Sequence, residues 1–185
     1  MNVSSICIRI HRIVILSALC LFASACASRS NIQIPSNPLA GTWTLVAADA
    51  IQADGTRVPD YGRAPKGLLL VDAAGHYSLQ IFEAERPHFS SGNKGSATPT
   101  EYKAAVLGSS THFGYLTVDV AARTLNFSIS ASSFPNWEGT TQARHFELEN
   151  GVLSYQVPSR PDGTVPVSVW KRVEGGAGKA PFTEE

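Results

Sequence analysis

Cysteine is almost missing from this chain. Three occur in 185 residues, and Cys7 and Cys20 fall in a stretch that reads as a removable leader. The one that remains, Cys26, cannot form an intrachain disulfide even in an oxidising compartment, and no cysteine-based zinc site can be built. A long apolar run is missing too. The best one, Ile13 to Ala23, falls well short of the roughly 20 residues that a bilayer-spanning helix needs. An excess of charge of either sign is absent, with Lys+Arg and Asp+Glu at 15 each. Such a balance points to neither nucleic acid nor an anionic surface as a partner. Catalytic signatures are absent as well. There is no Gly-x-Ser-x-Gly elbow, no His-x-His or His-Glu-x-x-His pair, and neither Lys66-Gly67 nor Gly92-Asn93-Lys94-Gly95 has phosphate-loop spacing. Ser109, Ser110, Thr111 and His112 adjoin in sequence, but adjacency is not a triad. No metal or cofactor is expected.

The start of the chain is an export signal in form. Arg9, His11 and Arg12 precede the apolar run, and Ala23-Ser24-Ala25 is a small-residue cleavage site. Residues 1–25 are therefore read as a signal peptide. Ala-Ser-Ala-Cys resembles a bacterial lipobox, which makes Cys26 a candidate lipidation site and membrane anchor. The alternative is ordinary cleavage and release. Ala27 brings no acidic retention signal, so the expected location is periplasmic or anchored at the outer membrane. Loss of Arg9 and Arg12 leaves 13 basic against 15 acidic residues in the mature form, a net charge of −2. Residues 26–39 read as an aperiodic tether, 40–173 as one domain, and 174–185, with Gly175-Gly176-Ala177-Gly178, as a disordered tail.

Within 40–173, turn signals recur at short intervals: Asp54-Gly55, Asp72 to Gly75, Val120 to Arg123, Glu149-Asn150-Gly151 and Pro161-Asp162-Gly163. Asn-Gly and Asp-Gly tolerate the positive φ of tight hairpins. The segments between them alternate. Trp43, Leu45 and Ala47 share a face, as do Tyr77, Leu79 and Ile81; Leu116, Val118 and Val120; and Leu125, Phe127 and Ile129. Alternation of this kind predicts about eight to ten short antiparallel strands with one dry face. So many strands in one small all-β domain favour an up-and-down barrel, which removes sheet edges. One helix interrupts them. Thr98-Pro99-Thr100-Glu101 is a capping box, Tyr102 to Leu107 carries it, and Gly108 ends it. It is expected as a lid over one barrel mouth or as a plug.

The most informative stretch is Phe134 to Leu148. Phe134-Pro135-Asn136-Trp137-Glu138-Gly139 is a stiff aromatic turn that Gly139 can release at positive φ. Thr141 to Leu148 then alternates, so Gln142, Arg144, Phe146 and Leu148 share one face and His145 the other. An arginine on the dry face needs a partner. Glu138, Asp119 or a ligand carboxylate could serve.

This stretch resembles the central signature of a bacterial and fungal lipocalin-like domain family, a branch of the calycin-type β-barrels. Gly41-Thr42-Trp43, Pro65-Lys66-Gly67-Leu68-Leu69, and Phe113-Gly114-Tyr115 followed by Val118-Asp119 agree with it in order. The resemblance implies a barrel closed at one end by Trp43 against a late arginine. Arg172 is favoured over Arg144, because the last strand neighbours the first. Such domains often carry a histidine shortly before the Pro-Asn-Trp turn. Here the stretch is Leu125-Asn126-Phe127-Ser128-Ile129, so no role for that imidazole is implied.

The expected function is binding of a small apolar or amphipathic molecule inside the barrel. Arg144, Tyr115, Trp137, Phe113, Tyr77 and Phe146 are the candidate pocket residues. One alternative is an accessory envelope protein whose barrel is packed solid. The other is an isomerase or cyclase drawing acid–base groups from Tyr115, His112 and Asp119.

Overall fold

The computed structural model describes residues 36–174. The expected signal peptide, Cys26, most of the tether and nearly all of the expected tail lie outside the described residues. The strands are β1 (Gly41–Ile51), β2 (Arg57–Pro59), β3 (Lys66–Val71), β4 (His76–Phe82), β5 (Ser109–Asp119), β6 (Thr124–Ser132), β7 (Thr141–Glu149), β8 (Val152–Gln156) and β9 (Val165–Arg172). All pairings are antiparallel. β1, β3, β4, β5, β6, β7, β8 and β9 follow one another around a ring, and β9 returns to β1. This is a closed eight-stranded barrel, with β2 added beside the far end of β1.

The two ends of the barrel differ because their connections differ. Tight hairpins join β3 to β4, β5 to β6 and β7 to β8 at one end. Asn150 and Gly151, with φ of 49° and 76°, turn β7 into β8 as the two left-handed residues of a hairpin turn whose twist matches the strands. The longer connections all fall at the other end. One of them holds the helix α1 (Pro99–Leu107). Thr98 accepts from the Glu101 amide, and the Glu101 carboxylate accepts from Thr98 N at 2.7 Å. None of its residues is buried, so α1 is not a plug.

Trp43 closes the hairpin end. It is fully buried, and its indole N–H donates to Leu39 O at 2.9 Å. The Arg172 guanidinium lies 4.1 Å from its ring centroid and donates to Ala40 O and Pro38 O at 2.6 and 3.1 Å. One planar cation thus caps the tryptophan and ties down the chain that leads into β1. Leu39, Leu69, Leu116, Leu125, Leu153 and Trp170 extend the dry interior above it.

Two irregularities shift the alternation. In β1 the pairing to β9 slips between Leu45 and Ala47, and Val46 bulges outward. Ala48 and Ala50 therefore face inward. Ala47, expected on the Trp43 face, does not follow it, because an extra residue reverses the phase of everything beyond it. The second irregularity lies between Phe113 and Gly114 of β5, where β6 holds Ser130 as the extra residue. A Cβ on Gly114 would stand 2.0 Å from Ser128 O, which admits only glycine. Val120, expected inside with Leu116 and Val118, is 66% exposed because β5 ends at Asp119.

Replacing Arg172 by Gln removes the stacked cation and leaves two carbonyls poorly paired. Urea denaturation should show a loss of about 1–3 kcal/mol. Arg172→Lys should recover only part of it, since an ammonium cannot reach both carbonyls while stacked flat.

Candidate functional site

The interior towards the long connections is not filled. The side chains that β1, β5 and β9 send there include Ala48, Ser110 and Ser168, which are too small to meet across the barrel. They leave a cavity of about 480 Å³. Aromatic and aliphatic groups line most of it, among them Leu79, Ile81, Phe134, Trp137, Tyr155 and Val157. The 3-10 turn Pro135–Trp137 brings Trp137 and the preceding Phe134 to the cavity because Pro135 starts the turn and Gly139, at φ 73°, releases the chain after it. The loop after β8, with Pro158 to Pro161, and Asp60-Tyr61 after β2 complete the rim. There Arg160 Nη1 lies 3.0 Å from Asp60 Oδ1. No residue of α1 lines the cavity.

Arg144 stands in the cavity wall. It is 3% exposed, one alternation step from Gln142, whose Oε1 accepts from Arg144 Nη2 at 2.8 Å. The guanidinium carbon lies 4.3 Å from the Phe127 ring centroid and 5.2 Å from that of Tyr155. Neither Glu138 nor Asp119 partners it: Glu138 accepts from Ser132 N, and Asp119 from Ala122 N. The ion pairs among the described residues join Arg57 to Asp49, His76 to Asp72 and Arg160 to Asp60. Arg144 Nε and the buried Tyr155 hydroxyl have no hydrogen-bond partner among the described residues. Burial pushes the Arg144 guanidinium below its ordinary value.

His112 is the polar residue that the strand pattern should have placed here. It is 3% exposed and lines the same cavity. Its Nδ1 lies 2.8 Å from the Tyr77 hydroxyl, and its ring meets Phe127 and Trp137 edge-on. Burial first, and the Arg144 charge second, push its pKa down to about 3. The imidazole is neutral in the folded protein. Burial raises the Tyr77 hydroxyl, so the pair is a neutral hydrogen bond. An imidazole thus reaches the interior from β5, beside the strand where the family resemblance would have put one.

Of the expected pocket residues, Arg144 and Trp137 meet at the cavity. Tyr77 stands behind them and touches His112. Tyr115 and Phe113 do not belong with them: they are 44% and 53% exposed. The alternation that turns His112, Gly114 and Leu116 inward turns these two rings outward. Phe146 is buried towards the hairpin end, with Leu39 and Leu148. The acid–base trio is dispersed as well, since Tyr115 is outside and Asp119 lies at the hairpin end, leaving only His112 within. Among the described residues no three His, Cys, Asp or Glu side chains gather as a metal site.

A family model for a lipocalin-like domain matches residues 40–173. No curated protein matches the sequence. Among solved structures, a mutant of the fluorescent protein UnaG is similar at 17% identity and a TM-score of 0.32, over 72% of this chain and 95% of that one.

The neutral state of His112 makes a pH prediction. The unfolded chain takes up a proton at this imidazole below about 6.5, and the folded one does not. Stability is therefore full above that value and falls as the pH drops towards 4. Urea denaturation at pH 7.5 and 4.5 should show a smaller loss in His112→Gln, which keeps a partner for Tyr77 but cannot titrate.

Proposed function

The chain belongs to the lipocalin-like domain family, and on that premise we propose that its barrel binds a small apolar or amphipathic molecule. The cavity of about 480 Å³ carries this reading, because it lies within the size range of small-molecule pockets and a barrel packed solid has no such space. Trp137 and Arg144 are the proposed contacts, one a ring at the rim and the other a cation in the wall. Burial of roughly 300 Å² of apolar ligand surface yields about 7 kcal/mol gross. Association costs offset much of this, so dissociation constants of about micromolar or weaker are expected for a purely apolar ligand.

Ala48→Leu tests the reading by filling the cavity. It should weaken binding of a fluorescent apolar probe by about ten-fold or more while leaving the melting temperature unchanged or higher. Unchanged probe affinity would sink the proposal. Native mass spectrometry of gently extracted protein should find a bound apolar molecule.

We also propose that the protein is exported and anchored through Cys26, a reading supported by the basic start, the apolar run and Ala23-Ser24-Ala25-Cys26. Cells grown with a palmitate analogue should label the wild type and not Cys26→Ala. Absence of label on the wild type would leave a released form.

A further inference from the structure

We propose that the cavity takes a carboxylate, held by Arg144 and the Tyr155 hydroxyl, rather than a neutral or cationic apolar molecule. The inference rests on the reading that the cavity binds small molecules, and it names their class.

The polar atoms of the wall are unbalanced. Arg144 is a donor at every nitrogen, and among the described residues only Gln142 Oε1 accepts from it. Its Nε and the Tyr155 hydroxyl are both buried and unpartnered, and the two side chains adjoin, with the guanidinium 5.2 Å from the Tyr155 ring centroid. The acidic side chains around the cavity are already engaged. Asp49 accepts from Arg57 at 2.6 Å, and Asp60 from Arg160. The wall therefore keeps one uncompensated positive charge beside two idle polar groups. The Phe127 and Tyr155 rings stabilise that charge through their faces, but ring faces do not satisfy an N–H group. A planar carboxylate does both: one oxygen accepts from the guanidinium and the other from the Tyr155 hydroxyl. An alcohol offers one weaker acceptor, and an amine adds a second cation against Arg144. His112 is neutral and adds no competing charge.

The test compares decanoate, decanol and decylamine by titration calorimetry at pH 7.5 on the wild type, Arg144→Gln and Tyr155→Phe. On the wild type, decanoate should bind about ten-fold or more tighter than decanol, and decylamine weakest. Arg144→Gln should abolish the preference for decanoate and leave decanol within about three-fold. Tyr155→Phe keeps the ring beside Arg144 and should reduce decanoate binding alone. Equal binding of decanoate and decanol by the wild type overturns the carboxylate inference and leaves the binding reading intact. So does an equal loss of both ligands in Tyr155→Phe, which would make these groups structural. If none of the three binds the wild type, the cavity reading fails and the inference with it. Should Arg144→Gln fold poorly, Tyr155→Phe decides alone.

Discussion

Pairing of the first and last strands of the ring is the constraint from which the rest follows. β1 lies against β9 from Trp43 opposite Arg172 to Ile51 opposite Val165. That contact closes the eight main strands into a ring and pairs the two edges they would otherwise leave open. It also brings Arg172 over Trp43, where the guanidinium serves as ring partner and as donor to the backbone before β1. Closure in sequence and closure of the hairpin end are therefore one event. A chain that fails to bring its last strand home loses both the cap on Trp43 and the partner of β1.

With one end sealed, the other can be left under-filled. The interior grades from large groups around Trp43 and Trp170 to small ones at Ala48 and Ser168. Large side chains stabilise the barrel where the turns are tight. Small ones forgo some packing where the connections are long. The cavity is thus a local concession in a core that is otherwise dense. Its wall holds a charge that rings and one amide support without neutralising, the kind of local inconsistency expected where a protein meets another molecule.

Much of this was legible in the sequence. Period-two alternation and recurrent Asn-Gly and Asp-Gly turns gave the barrel, the capping box gave α1, and the inward phase of β7 gave Arg144. What misled was chemical character taken without phase. Tyr115 and Phe113 attracted notice as rings, although the alternation that buries Leu116 puts them outside. The same alternation puts His112 inside, where no motif marked it. The bulge at Val46 could not be read at all, because nothing in Thr-Leu-Val-Ala-Ala distinguishes an extra residue from the next step of a strand. Nor could the hollow be read. It arises from one alanine and two serines on three strands that are far apart in sequence, and a small residue carries no signal of what stands opposite.

That bulge decides more than local twist. Because Val46 is the extra residue, the pair Leu45–Trp170 is followed at once by Ala47–Val169, and Ala48 and Ala50 take the lumen side in place of Ala47, Asp49 and Ile51. Unbroken alternation of the same residues would instead send a carboxylate and an isoleucine inward, where two methyl groups now stand. The roominess of the barrel thus hinges on one local irregularity in strand pairing rather than on the composition of the strand.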